Sequence, residues 1–310
     1  MIFEDIVFWQ AVLAGAIRLA TPVALAALGE TIVERSGTIN LGIDGIMIGG
    51  AFTAILVAGF AGWGVALLAA AGVGALFGLV IALAVLRGGA NQIVVGIGVS
   101  LLAGGLATYG YQLWDGLGLS RAAVALVPVL DLPALGGIPV LGPVLSGQSL
   151  LTWATLVLVI VAAPLLRRSR PGLILKAVGD EPAAVAQRGI DVVRVRSVAL
   201  MIGGGLAGLG GAAITVGYLG AYTDGLVAGR GYVALAVVII GRWTPSGAIA
   251  GALIFAVFDS LALQAQGGRA PLPVEAYMAL PYLVTLAVLV VTARGTVAPR
   301  ALGAPYRPER

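Results

Sequence analysis

The feature that most constrains this chain is where charge is absent. Forty-two consecutive uncharged residues separate Asp44 from Arg87, and 27 separate Arg87 from Asp115. A further 35 lie between Asp131 and Arg167, 27 between Arg196 and Asp224, and 18 between Glu275 and Arg294. A helix needs about 20 apolar residues to cross roughly 30 Å of hydrocarbon. The runs are therefore of spanning length, and the first is long enough for two spans. Its middle, Ala58-Gly59-Phe60-Ala61-Gly62-Trp63-Gly64, has the composition of a tight turn with an interfacial tryptophan. Barrel strands would alternate polar and apolar residues about ten at a time, whereas these runs are continuous and rich in Ala, Leu, Val and Gly. Only 10% of the 310 residues are charged and 60% are hydrophobic, far from the roughly 25% charge of a soluble domain.

The pattern predicts an all-α, polytopic transmembrane helix bundle forming one domain over residues 1–310. Nine spans are expected, within a bracket of eight to ten, near 6–28, 39–59, 64–86, 92–114, 150–166, 197–218, 231–241, 246–264 and 276–293. The seventh is too short for a crossing. It either starts before Arg230 or enters the membrane only part way. The acidic start, Met1-Ile2-Phe3-Glu4-Asp5, lacks the basic region of a signal peptide, so the first apolar run is read as a retained helix.

Basic residues set the orientation. With nine spans and a cytoplasmic C-terminus, the inner side carries Arg35, Arg87, Arg242, seven basic residues in 167–196 and four in 294–310. The outer side carries Arg121, Arg230 and Arg269. The net charge of +4 is the remainder of this one-sided distribution. It is not the basic stripe with interleaved aromatics that a nucleic-acid surface needs, so no nucleic-acid partner is expected.

Two loops stand out. Residues 115–149, with Pro128, Pro133, Pro139 and Pro143, form an extracytoplasmic loop. Residues 167–196 form the most charged stretch, on the cytoplasmic side. Within the second, Asp180 is positioned to cap a helix, Glu181 to complement its positive end, and Pro182 to occupy its first turn. Arg188 suits the last turn and Gly189 a left-handed stop. A helix of about two turns follows, too short to persist alone in water. The competing reading is a solvated basic connector.

The entry to the second span is unusually polar and glycine-rich. Asn40 and Asp44, four residues apart, would share a helix face, and an intramembrane carboxylate is a candidate functional group. The alternative is a structural cap or salt bridge buried in the bundle.

Glu34-Arg35-Ser36-Gly37, Asn40-Leu41-Gly42, Asp44-Gly45 and Gly50-Ala51 together resemble the signature of one permease family. It comprises the membrane subunits of bacterial ABC importers for branched-chain amino acids, simple sugars and nucleosides. Ala177-Val178-Gly179-Asp180-Glu181-Pro182-Ala183-Ala184 with Arg188, Gly189 and Ile190 resembles that family's ATPase-coupling segment. Gly203–Ala212 resembles the glycine-rich helix that follows it. Gly229-Arg230-Gly231-Tyr232 through Gly241-Arg242-Trp243 and Pro245 to Gly251-Ala252-Leu253 resembles a further block. The similarity covers roughly residues 20–255. The Glu-Arg-Ser-Gly wording, Thr21-Pro22 and the Asn91-Gln92 start of the fourth span are similar to the nucleoside and simple-sugar branch.

This resemblance implies import by alternating access, as a multi-pass protein of the bacterial plasma (inner) membrane. It implies a partner ABC ATPase holding ATP and Mg²⁺, a second and different permease chain, an extracytoplasmic binding protein and surrounding membrane lipid, with no cofactor in this chain. Asn40, Asp44 and Asn91 are the candidates for the translocation path. A branched-chain amino acid permease and an ATP-independent secondary transporter are the alternatives.

Motifs for enzymes fail on context. Gly203-x-Gly205-x-x-Gly208 fits a dinucleotide fingerprint but lies in continuous apolar helix without a preceding strand. The sole lysine, Lys176, is followed by Ala177, so no Walker A loop exists. The 14 carboxylates are dispersed, unlike the clustered acids of Mg²⁺-dependent membrane transferases. Cysteine and histidine are absent, which removes disulfides, thiolate chemistry and the commonest general base. Arg18 and Asp259, inside predicted spans, either line a path or pair with other groups; structural pairing is the favoured reading, because neither forms a recognisable relay.

Overall fold

A computed structural model describes residues 6–118, 124–131, 138, 141–266, 273–292 and 298–306. Met1–Asp5, Arg121, Pro133, Pro139, Arg269 and residues 294–297, on which parts of the sequence reading rest, lie outside these. Among the described residues the chain forms α1 (Ile6–Arg35), α2 (Ile43–Ala82), α3 (Gln92–Gly116), α4 (Leu141–Leu145) and α5 (Leu150–Arg168). These are followed by α6 (Arg170–Asp180), α7 (Pro182–Gln187), α8 (Val192–Ile214), α9 (Arg230–Ile240), α10 (Pro245–Ala265) and α11 (Val274–Thr292). One π-helical turn, Leu83–Arg87, extends α2, and another, Thr215–Leu219, extends α8. Two-residue strands at Val129–Leu130 and Gln148–Ser149 pair antiparallel in the loop before α5.

Among the described residues, six helices are long and apolar enough to cross a membrane. One of them, Ile43–Arg87, is 45 residues long, about twice what a crossing needs. It reverses at Gly62, whose φ of 77° and ψ of 169° leave the helical region. Phe77 then packs on Gly49 and Ile81 on Gly42, so the two limbs of α2 run antiparallel. The turn falls within the glycine-rich segment expected to carry it. Two further helices, α9 and α11, are also apolar; α9 is the short one, at 11 residues. α1 continues to Arg35, beyond the expected end at residue 28. Its polar last turns stay helical because Glu30, Thr31 and Glu34 are buried inside the bundle rather than marking a water boundary.

The core forms where α8 lies in the trough made by α1 and both limbs of α2. α1 and α2 are apolar on nearly every side, as expected of helices packed in lipid or protein all round. In such surroundings, packing relies on close backbone approach. A Cβ added at Gly74 would overlap the Gly204 carbonyl oxygen, and one at Gly204 would overlap that of Gly74. Gly208 meets Ala70, Gly50 meets Gly208, and Gly211 meets Met47 in the same way.

α9 does not start before Arg230. At 11 residues it rises only about 16 Å, half a bilayer core. The preceding segment descends through turns, with positive φ at Gly220, Gly225, Ala228 and Gly229. Tyr222 sits beside Phe52 and Tyr111, whereas Gly231 sits against Asp44. Irregular backbone at such depth is tolerated only where it is buried in protein or lines a water-filled cavity; Tyr222 and Val227 are buried, whereas Ala221, Thr223, Asp224, Gly225 and Ala228 are exposed.

The seam yields a stability prediction. Gly204→Val should lower the thermal transition of the detergent-solubilised protein, since overpacking costs about 1–3 kcal/mol. Gly72→Ala, on the α2 limb that faces Gly204 but with no atom within 4 Å of the added carbon, should leave that transition unchanged or raise it. Thermal-shift size-exclusion chromatography of both variants reads the difference.

Candidate functional site

The charged loop after α5 folds into two helices. Ser169 begins the first: its hydroxyl accepts the Gly172 amide at 3.2 Å, and Pro171 fills the first turn. Here the geometry differs from the expected capping. Asp180 closes α6, and Glu181, at φ −143°, is the residue that caps α7 without a side-chain bond. Pro182 occupies the first turn of α7, and Gly189 is left-handed with φ 79°. Val185 packs inward with Val178 and Val192. The chain itself thus supplies the surface that steadies this six-residue helix. Ala183, Ala184, Gln187 and Arg188 face outward.

α6 is locked to the corner between α1 and α2. Gly179 lies so close to the Arg35 carbonyl that no Cβ would fit. Within the corner, the Ser36 hydroxyl donates to Val33 O at 2.6 Å, and the Gly42 amide donates to Asn40 Oδ1 at 3.0 Å. The Asn40 amide donates to Glu30 Oε1 at 2.9 Å. Asn40, fully buried, is therefore a turn-forming residue that precedes α2, and does not share a helical face with Asp44.

The C-terminal segment 298–306 is the element sequence reasoning missed. The Ala301 amide donates to Gly179 O at 2.8 Å, and the Gly303 amide donates to Gly37 O at 3.1 Å. Gln92, in the first turn of α3, accepts from the Ile39 amide at 3.0 Å and donates to the Gly303 carbonyl. Arg196, in the first half of α8, is 1% exposed. Its Nε donates to Ser36 O at 3.0 Å and its Nη1 to Ala304 O at 3.5 Å. Its guanidinium also lies 5.7 Å from the Tyr306 ring centroid, within cation–π range. The tail thus joins the coupling helices, the α1–α2 corner, α3 and α8. Gly303, left-handed with φ 76°, stands between Pro299 and Pro305, and these three residues are the signal for a shaped segment in the sequence.

Asp44 and Glu34 hold the half-length α9 at its two ends. The Gly231 amide donates to Asp44 Oδ1 at 3.0 Å. The Trp243 indole, just past α9, donates to Glu34 Oε2. Arg242 and Trp243 both have positive φ, a conformation costly for non-glycine residues, so the buried indole bond fixes a strained turn. Arg230 pairs with Asp259 at 2.9 Å, a structural pairing of the kind expected for Asp259. Two further polar contacts are made by side chains of α3. The Gly45 amide donates to Ser100 Oγ at 2.9 Å, and Thr108 donates to Asp224 at 3.0 Å. Asn91 stands apart from Asp44 as the exposed N-cap of α3, accepting from the Ile93 and Val94 amides.

The buried arginine of this junction can be tested. Arg196→Met should release the tail, because hydrogen bonds to charged groups contribute about 1.5–3 kcal/mol each. Trypsin cleavage after Arg300 should accelerate in the folded variant, as followed by mass spectrometry.

Comparison with known proteins fits this architecture. The guanosine ABC transporter permease protein NupQ of Bacillus subtilis (strain 168) is 34% identical over 300 residues, covering 93% of each chain. The nucleoside ABC transporter permease protein NupC of Lactococcus lactis subsp. cremoris (strain MG1363) is 32% identical over 310 residues, covering 96% of each. The putative glucose ABC transporter permease protein TsgC13 of Haloferax volcanii is 32% identical over 310 residues, covering 91% of each. Residues 12–289 match the family described as the permease component of branched-chain amino acid transport systems. With this match over most of its length and near full-length relatives, the chain belongs to that permease family: it is a multi-pass membrane transport subunit of an ABC transporter and not an enzyme.

Proposed function

We propose that this chain is a permease subunit of a binding-protein-dependent, ATP-driven importer of nucleosides or simple sugars. The observation that carries the substrate class is near full-length similarity to permeases named for guanosine, nucleosides and glucose. The end bearing α6, α7, the α1–α2 corner and the tail is the cytoplasmic end. It holds most of the basic residues, as the positive-inside rule requires, and with it the C-terminus. About nine crossings follow if the two limbs of α2 count separately and the half-length α9 completes a pass with the descending segment before it. The membrane is the bacterial plasma membrane.

The mechanism is alternating access. ATP and Mg²⁺ are held by a partner ATPase, which docks on Asp180–Ala184 and on Arg188 and Gly189, with Gly179 of the same coupling segment buried behind them. Its closure moves α6 and α7. Gly179, in backbone contact with Arg35 and bonded through Ala301 to the tail, carries that movement to the corner. The Cβ-free seam of α8 lets the limbs of α2 shift as packed bodies. Asp44 is the path candidate closest to the broken helix. Asn40 acts beside it by shaping the corner, and Asn91 by starting α3. A second permease chain completes the membrane core, and the extracytoplasmic binding protein docks on the far side, on loop 115–149.

Purification of the transporter from its native membrane should recover an ABC ATPase and a second permease. Proteoliposomes should take up a nucleoside or simple sugar only with ATP and binding protein. Ala184→Glu, on the outward face of α7, should cut uptake at least about tenfold, equivalent to 1.4 kcal/mol of lost coupling, while membrane insertion is unchanged. Uptake driven by an ion gradient without ATP would refute the proposal. Uptake of branched-chain amino acids alone would move the substrate assignment.

A further inference from the structure

A groove of about 880 Å³ opens between two walls at the coupling end of the molecule. One wall is α6 and α7. The other is Ala298-Pro299-Arg300 of the C-terminal segment. Lys176 and Arg188 face it from the first wall, Arg300 from the second, and Arg35 and Arg242 from the helix ends between them. Two carboxylates oppose these five cations, those of Asp180 and Glu181. Both are engaged by the tail: Asp180 accepts the Arg300 amide at 3.5 Å, and Glu181 pairs with the Arg300 guanidinium at 3.3 Å. Among the described residues, Arg35 Nη1 is buried without a hydrogen-bond partner. Such an atom is costly unless an acceptor arrives.

We infer that the C-terminal segment is the second wall of the ATPase-docking groove, and that an acidic segment of the ATPase seats between Ala298–Arg300 and α7. The inference rests on the reading of α6 and α7 as the ATPase-contacting elements and adds to it a wall that the coupling sequence does not contain. Two observations select this occupant. The lining has a cationic excess, which favours a negatively charged partner surface. The tail's backbone bonds also tie it at once to Gly179 and Gly37. A partner seated in the groove therefore bears on α6 and on the α1–α2 corner through the same segment.

The chain has no native cysteine, so single cysteines report on each wall separately. Ala184→Cys places one on α7, Ala298→Cys one on the tail, and Gly59→Cys one at the far end, where nothing lies within 4 Å. Each variant is labelled with maleimide-benzophenone in membranes holding the assembled transporter and then irradiated. Adducts with the co-purifying ATPase should form at Ala184→Cys and Ala298→Cys and not at Gly59→Cys. Adducts at Ala184→Cys alone overturn the second wall while leaving the transport reading intact. Adducts at neither overturn the coupling reading itself. Arg300→Glu supplies an independent readout. The exposed Arg300–Glu181 pair contributes little to folding, so the variant should fold. It should retain roughly three- to tenfold less ATPase, an effect that shrinks as salt is raised. Unchanged retention at low salt overturns the role of charge and with it the acidic occupant.

Discussion

α8 can lie against both limbs of α2 because glycines at the contact let the backbones touch. Gly74 faces Gly204, Gly208 faces Ala70 and Gly50, and Gly211 faces Met47, each at backbone-to-backbone range. In a lipid surround the hydrophobic effect gives helices no reason to pair, and close packing has to supply the association. The rest of the architecture follows from that contact. α1 closes the trough from the other side, with Gly29 against Gly203, and α10 packs on α1.

The second dependency is polar. Buried donors and acceptors far from water need internal partners, and here they are concentrated at one end. Glu30 and Glu34 on α1, Asn40 in the corner, Gln92 on α3 and Arg196 on α8 bond mostly to backbone groups rather than to one another. Such bonds hold chain segments in fixed register without a salt-bridge network. They explain why the α1–α2 corner, α6, α9 and the tail meet at one place, and why Arg196 is buried despite the cost of desolvating a charge. α9 shows the same economy: Asp44 receives its first turn, and Glu34 anchors the strained Trp243 turn behind it.

The amino-acid sequence by itself determined the class, the turn near Gly62 and the approximate place of the long apolar helices, because long uncharged stretches admit few alternatives in a bilayer. It also determined that the loop after α5 carries a short helix with Pro182 in its first turn and Gly189 at its stop, since φ restrictions at proline and glycine are local. Tertiary structure alone decided which polar groups meet. Asn40 and Asp44 are four apart in sequence, yet one turns the corner and the other receives α9, because the helix starts only at Ile43. Asp259 could not be matched to Arg230 from spacing, nor Gln92 to Gly303, since partners 29 and 211 residues apart leave no local pattern. The tail was the least legible element: its bonds to Gly179 and Gly37 are made by backbone amides, which every residue type but proline provides.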